Sequence, residues 1–475
     1  MNNETFNSLV WFRRDLRLYD HNALFQALKK SNSVYCCFIF DTKILDKLSN
    51  KSDRRIDFIW HSLKEIKLDL NKLGSDLIVE IGDPVLIIPS LIKKYKCQGL
   101  FINKDYERYA IKRDKQIFEI LKTSKIESHE YKDQVIYEEK EILTQSNNPY
   151  TVFTPYKNNY LKKIFNEGIN QFNCEPYLIN LAKFNSSSFP TFKEIGFKET
   201  NLLSMNLPIG TKGGLNLIDD FKKRINRYNT DRNFPGTKGV SYLSVHNRFG
   251  TISIRHLAKI ALNEASEGST AWLNELIWRD FYFQILSNFP HIQSGKTFKD
   301  KYNNIQFENN EEKFIAWKNG LTGFPIVDAG MRQLNSTGYM HNRLRMIIAC
   351  FLVKDLLIDW RWGEKYFAEH LIDFDFSANN GGWQWAASTG CDAQPYFRIF
   401  NPLLQSERFD PDGRFIKKYI PELTMLNKKE IHQPAVFYNK SPDDFPVNLG
   451  LDYPFPIVNH AEQKTKILNM FKGAM

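Results

Sequence analysis

Strand signals in this chain are confined to its first third, and that confinement limits the fold more than any other feature. Short β-rich runs at 8–12, 34–40, 77–81 and 99–103 are bracketed by turn residues, with helical stretches at 22–30, 54–73, 84–95 and 108–122 between and after them. Strands alternating with helices build βαβ units and a parallel sheet, with binding sites at the strand C-terminal ends. Neither a glycine-rich dinucleotide fingerprint nor a Walker-type phosphate loop is present. Beyond residue 206 the β-rich runs nearly vanish. Amphipathic helical segments replace them at 214–228, 254–265, 270–287, 325–335, 341–358 and 363–372, with another near 459–472.

The expected architecture is a Rossmann-like α/β domain over 1–130, an interdomain linker over 131–205 and an all-α domain over 206–475. The linker reading rests on Asn- and Ser-rich pieces, Ser146-Asn147-Asn148-Pro149 and Asn185-Ser186-Ser187-Ser188. The stretch 373–413, dense in Asn, Gly, Trp and Pro, reads as a long coil, and such coils are more often functional than connecting.

At 475 residues, with 42% hydrophobic side chains, the chain can bury a large core. Lys and Arg total 64 against 54 Asp and Glu, a net charge of +10 that divides evenly on either side of residue 205. That balance suits a polyanionic partner or plain solubility. Six cysteines show no CxxC and no metal spacing, so the expectation is a reduced, cytoplasmic protein without a metal. No apolar run approaches the roughly 18 residues that a membrane span needs.

Seven of the nine tryptophans (272, 278, 317, 360, 362, 383 and 385) lie in one stretch of the C-terminal half. Core packing is the ordinary role of any one of them, but indoles set among polar residues and glycines suit a flat aromatic ligand. Glu275 and Trp278 are three apart on a helical segment, so a carboxylate and an indole share a face. Asn342 and Met346 share another face, with Arg345 beside them, and a buried Arg calls for an anionic partner. His341 reads as a satisfied core histidine. The segment from Asp373 and Asp375 through Asn379, Asn380 and two glycines to Trp383 and Trp385 lets backbone approach a planar ligand, with an acid to accept from a ring N–H. Ser241 and Ser244 offer hydroxyls to a phosphate.

With WFRRDLRL near the start, then WLNELIWRDF, FPIVDAGMRQL, YMHNRLRM and NNGGWQWAAS in order, the chain resembles the DNA photolyase/cryptochrome family over essentially its whole length. Within that family it is similar to the bacterial class I photolyases that repair cyclobutane pyrimidine dimers. The resemblance implies an antenna domain followed by a helical domain holding FAD, and light-driven electron transfer from reduced flavin to a dimer in UV-damaged DNA. It implies a monomer associated with the bacterial nucleoid when bound to damage. By the same resemblance, Tyr228, Arg232, Ser241, Leu243, Ser244, Trp272, Arg279, Arg345, Asp373 and Asp375 hold the flavin, and Asn379 faces its N5.

Glu275, Trp278, Asn342, Met346 and Trp385 match the dimer pocket, where two indoles wedge a flipped pyrimidine pair. Arg343 and Arg398 match DNA-phosphate contacts. The alternative within the family is a blue-light receptor without repair. Plant cryptochromes carry Asp where Asn379 stands, so the amide argues for repair. The members acting on (6-4) lesions carry His at the positions of Asn342 and Met346, so the cyclobutane dimer is favoured.

The chain also departs from the family pattern. Val240 stands where Thr is frequent. Trp383 and Trp360 match the first two members of the electron-hopping chain, but Phe307 replaces the third indole, leaving Trp317 or Trp362 as substitutes. Tyr109-Ala110 replaces the Asn-Glu pair of folate-binding relatives, whereas Arg14, Asp105, Glu107 and Tyr109 resemble the deazaflavin-binding members. The expected antenna is therefore 8-hydroxy-5-deazaflavin or FMN, with 5,10-methenyltetrahydrofolate as the alternative.

Overall fold

Strands that are apolar on both faces need cover on both faces, and the four β-rich runs become four adjacent strands of one five-stranded parallel sheet. The computed structural model describes residues 6–185, 189–205 and 207–473, so Ser186, Ser187 and Ser188 of the expected linker lie outside the described residues. The strands are β1 (Asn7–Phe12), β2 (Ser33–Asp41), β3 (Leu77–Gly82), β4 (Gly99–Asn103) and β5 (Glu127–Tyr131), in the order β3-β2-β1-β4-β5. Trp11 pairs with Cys37 across β1 and β2, and Val10 with Phe101 across β1 and β4. The chain builds outward from β1 to β3, then crosses back to β4. The C-terminal ends of β1 and β4 therefore form the topological switch point where such sheets bind ligands.

The expected runs omit β5. Its sequence, ESHEY, is polar and its burial slight, as suits an edge strand whose charges discourage further pairing. The covering helices are α1 (Asn22–Lys30), α2 (Arg54–Lys72), α3 (Pro84–Lys94) and α4 (Arg108–Thr123). Their starts are coded locally. Asp53 accepts from the Arg55 N–H, and Asp83 accepts from Val85 with Pro84 at the first helical position. Leu9, Trp11, Ile39, Ile78, Leu100 and Ile102 of the sheet pack against Ile88, Leu91, Ile117 and Leu121.

The chain forms two compact units. The first comprises residues 1–150, 155–225 and 241–288, and the second 151–154, 226–240 and 289–475. The polar 131–205 stretch holds more structure than a linker reading implies. It contains α5 (Phe153–Glu167), with Tyr156, Tyr160 and Ile164 buried at helical spacing. In the first unit follow α6 (Gly210–Lys222), α7 (Ser244–Phe249), α8 (Ile254–Glu264) and α9 (Glu267–Asn288).

The second unit contains α10 (Glu311–Asn319), α11 (Pro325–Thr337), α12 (Asn342–Lys354), α13 (Trp360–His370), α14 (Phe376–Ala386), α15 (Pro402–Phe409), α16 (Arg414–Tyr419) and α17 (His460–Gly473). Two of these correct the expectation of a coil over 373–413: α14 and α15 both lie inside it. Asn and paired Gly weaken a helix, but tertiary packing overrides propensity here. Asp375 caps α14 by accepting from the Ser377 N–H, and Gln384 donates to Asn380 one turn earlier, at 2.9 Å. Trp383 and Ala386 are buried in the unit's core. Gly363 of α13 makes room, since a Cβ there would lie 2.0 Å from the Trp383 ring.

Candidate active site

At the switch point the chain concentrates charge. Arg14 follows β1, and Asp105 and Glu107 follow β4. The Arg14 guanidinium lies 3.5 Å from Asp105 and 3.2 Å from Glu107. Burial pushes the Asp105 carboxyl up, but Arg14, Arg13 and Arg248 together hold it below the usual range. Tyr109 belongs to a neighbouring cluster: its hydroxyl donates to Asp41 at 2.8 Å, and Arg113 reaches the same carboxylate oxygen at 3.2 Å. Trp11 has one guanidinium at 4.9 Å (Arg13) and another at 4.6 Å (Arg113) from its ring centroid. Its Nε1 and the Nε of Arg13 are buried donors without a hydrogen-bond partner among the described residues. A cavity of about 470 Å³, lined by Lys104, Asp105, Tyr106, Asp114, Phe118 and Glu138 among others, opens in the same region. Its size is that of a small-molecule site.

Helix α9 carries the next set. Trp272 is buried and meets Phe221 edge-on at 4.9 Å, whereas Glu275 and Trp278 are half-buried, three residues apart on the helix. Trp278 packs against Phe281 and Tyr282, both at 5.5 Å. Arg279 donates to the Gln134 carbonyl, lies 3.6 Å from Asp280 and covers the Phe283 ring at 4.7 Å. Sequence reasoning missed Asp280. This fully buried carboxylate accepts from the Ile136 N–H at 2.8 Å and the Tyr160 hydroxyl at 2.6 Å, and burial raises its pKa. An Arg-Asp dipeptide was the only signal, and it does not reveal burial.

In the loop before α7, the Leu243 N–H donates to Ser241 Oγ at 3.4 Å and Tyr242 holds a left-handed φ of 60°. A bulky side chain such as Tyr makes that conformation unfavourable, so the turn is held by its surroundings. Leu243 is a core side chain, 1% exposed, so only its backbone can serve a ligand, while Ser244 is exposed.

The second unit carries its own set of candidate residues. His341 accepts from the Arg343 N–H at 3.1 Å and so caps α12, and burial pushes its pKa down to about 4. It is a buried histidine as expected but not a fully satisfied one, since its Nε2 finds no hydrogen-bond partner among the described residues. Asn342 is exposed at the helix start and Met346 is half-buried. Arg343 bonds Asn233 and covers the Phe409 ring at 4.3 Å. Arg345 finds its anionic partner in Asp373, at 3.0 and 2.8 Å. Asn379 donates to the Glu364 carbonyl at 3.1 Å, and Asn380 donates to the Glu364 carboxylate at 2.8 Å. Burial raises that carboxyl to about 7, a feature no motif signalled. Trp385 is half-buried near Phe400, and Arg398 is exposed. The Arg232 guanidinium covers the buried Tyr228 ring at 5.6 Å. Trp317, Trp360 and Trp383 are core side chains, whereas Trp362 and Phe307 are half-buried at its margin.

Each unit by itself carries donors of the chemistry a flavin dinucleotide needs. In the first, Arg279 and the Ser241 and Ser244 hydroxyls suit phosphate; in the second, Arg232 suits phosphate and the Arg345–Asp373 pair suits the polar edge of a planar ring.

Comparison with known proteins agrees. Residues 8–173 match the DNA photolyase family model, and residues 272–473 match the FAD-binding domain of DNA photolyase. The chain belongs to the DNA photolyase family and carries that family's FAD-binding domain. It is 37% identical to the deoxyribodipyrimidine photo-lyase of Escherichia coli K12, over 98% of each chain. Its structure is similar to that of a bacterial class III photolyase from Agrobacterium tumefaciens, with a TM-score of 0.90 and 32% identity over 100% of this chain and 98% of that one. An archaeal photolyase from Sulfolobus tokodaii with two FAD molecules gives a TM-score of 0.80 and 33% identity over 98% of this chain and 100% of that one. Among the described residues no helix is long and apolar enough to cross a membrane.

Proposed function

We propose that this protein is a light-dependent deoxyribodipyrimidine photo-lyase that splits cyclobutane pyrimidine dimers in DNA. The observation that carries the reading is the full-length match to a relative of that name. When bound, reduced FAD supplies the electron that light drives onto the dimer. The chain's own residues do the rest. Tyr228, Arg232, Ser241, Ser244 and Arg279, with the Leu243 backbone, bind the diphosphate side, while Trp272, Arg345, Asp373 and Asp375 orient the flavin. Asn379 presents an amide, which cannot protonate N5 as a carboxylic acid could, and that favours repair over a receptor role. Glu275 and Asn342 bond the base edges of the flipped lesion, and Trp278, Met346 and Trp385 pack against it. The half-buried state of Glu275 and Trp278 on one helix supports this assignment. Exposed Arg398, with Arg343, positions DNA phosphate. Trp383 passes electrons to oxidised flavin, and Trp360, Trp317 and Trp362 are the candidate indoles that refill it in place of a complete three-indole chain.

The functional division we propose is an antenna domain over 1–130, a linker over 131–205 and a FAD domain over 206–475. The antenna pocket takes a flavin-like chromophore, 8-hydroxy-5-deazaflavin or FMN, ahead of a folate. The unpartnered Trp11 and Arg13 donors support a ring bearing acceptor atoms, and the second FAD of the Sulfolobus relative is a precedent for that class.

The test is incubation with a dimer-containing oligonucleotide in darkness and under blue light. Dimer loss only in the light, with reduced flavin, is expected; equal dimer content in both would overturn the reading. Glu275→Ala is expected to weaken dimer binding while leaving the flavin absorption unchanged.

A further inference from the structure

Three indoles of the second unit, Trp317, Trp360 and Trp383, are buried, and among the described residues the Nε1–H of each has no hydrogen-bond partner. An indole that loses an electron becomes strongly acidic, but where no base can take its proton the hole is not trapped and moves on to the next oxidisable ring. Which ring comes next is a matter of contact. Trp383 meets Trp317 edge-on at 6.2 Å between centroids, and Trp317 meets Tyr366 edge-on at 5.7 Å. Trp360 offers a poorer exit. The Arg361 guanidinium lies 4.8 Å over its ring and opposes a radical cation, although Asp359, paired with Arg361 at 2.9 Å, offsets part of that charge. The expected next residue in that direction, Phe307, is hard to oxidise. Trp362 is reached from Trp317 through Phe314, which lies 5.6 Å from Trp317 and 5.1 Å from Trp362, so a second poorly oxidisable ring intervenes.

Tyr366 differs from the indoles in one chemical respect. It is half-buried, and its hydroxyl donates to Asn335 Oδ1 at 2.8 Å, at a half-buried edge where the proton can leave to water. Burial keeps the phenol neutral, at about 12, so it carries a proton to lose. We infer that photoreduction in this protein runs from Trp383 through Trp317 to Tyr366, with Tyr366 as the terminal donor. Trp383 gives one electron to the photoexcited oxidised flavin. Trp317 refills Trp383, and Tyr366 refills Trp317. The Tyr366 O–H bond breaks as that electron leaves, its proton goes to water, and a neutral tyrosyl radical remains until an external thiol reduces it. This inference rests on the flavin reading above.

The experiment is transient absorption and electron paramagnetic resonance on the purified flavoprotein with its flavin oxidised, in H2O and D2O. The expected result is an indole radical that decays into a tyrosyl radical, with slower conversion in D2O. Tyr366→Phe loses the tyrosyl signal, Trp317→Phe loses it too, and Trp360→Phe and Trp362→Phe keep it. A tyrosyl signal retained in full by Tyr366→Phe, or abolished by Trp360→Phe but not by Trp317→Phe, overturns the route. Flavin content and dimer repair after chemical reduction are measured on the parent protein. Failure there rejects the flavin enzyme itself, whereas success there with the wrong radical pattern rejects only this route.

Discussion

The switch-point region of the first unit and the tryptophan-rich core of the second solve burial in opposite ways. In the first, charges are buried with their partners. Arg17 and Arg255 both hold Asp133, at 2.6 and 2.7 Å, and Arg255 also holds Asp20 at 3.0 Å. In the second, Trp317, Trp360 and Trp383 are packed in hydrocarbon, and their N–H groups go without acceptors among the described residues. A paired charge cluster is rigid and costly to disturb, which suits positioning a ligand by directed bonds. An apolar indole stack has no bond that fixes a charge state, which suits passing an electron. Titratable groups in and beside it, Lys354 and Glu364 among them, are held away from their usual pKa by burial.

That contrast can be broken or sharpened by substitution. Removing a shared anion should do most harm. Asp133→Ala leaves two buried guanidiniums facing each other and is expected to cost about 3–5 kcal/mol in denaturant unfolding; a loss below about 1 kcal/mol would show that the charges are solvated.

Lys354 is the converse case, a buried cation with no carboxylate bonded to it among the described residues. Its ammonium donates to Ser388 Oγ at 3.0 Å and lies 4.0 Å over the Phe471 ring, and burial lowers its pKa to about 7. The unfolded chain therefore binds more protons between pH 7 and the ordinary lysine range, so stability rises with pH across that window. The full rise is on the order of 4 kcal/mol. Lys354→Met should remove it and leave the variant more stable than the parent at pH 6, as read by unfolding curves at pH 6 and pH 9.

Gly363→Ala tests how tightly the indole core is packed. Its Cβ would collide with Trp383, and the expected cost is about 1–3 kcal/mol.

The smallest effect should come from Glu364. Its folded pKa is raised to about 7, so the unfolded chain loses its proton first and stability falls as pH rises from about 4.5 to 7. Glu364→Gln should flatten that fall, by about 1–2 kcal/mol after discounting for partial exposure. Melting temperatures of parent and variant at pH 5 and pH 8 measure it.

Much of the fold was legible because its signals are local. The inner strands read correctly as continuous apolar runs, and Asp53, Asp83 and Pro84 mark helix starts within a turn of sequence. Where stability came from elsewhere, local reading failed. Strand β5 is polar and pairs only because β4 offers it an edge, and α14 forms on poor helix formers because Trp383 and Ala386 are buried and Gly363 gives way. The site shows the same division. Arg14, Asp105 and Glu107 come together at the switch point while Tyr109 bonds Asp41, groupings that no motif spelled out, and Asp280, Glu364 and Lys354 owe their unusual states to neighbours distant in sequence.

What the sequence by itself determined is the chemistry available: an amide at Asn379, Phe at 307, the indoles, and the ordered motifs that place the chain in its family. Side-chain identity needs no fold to be read. Only the tertiary structure decided which of those groups touch, that Trp383 reaches Trp317 directly while Trp362 stands behind Phe314, and that Tyr366 alone among the rings considered for the route combines contact with Trp317 and a hydrogen-bonded proton to lose. Contact and burial depend on packing between segments far apart along the chain, and no local pattern encodes them.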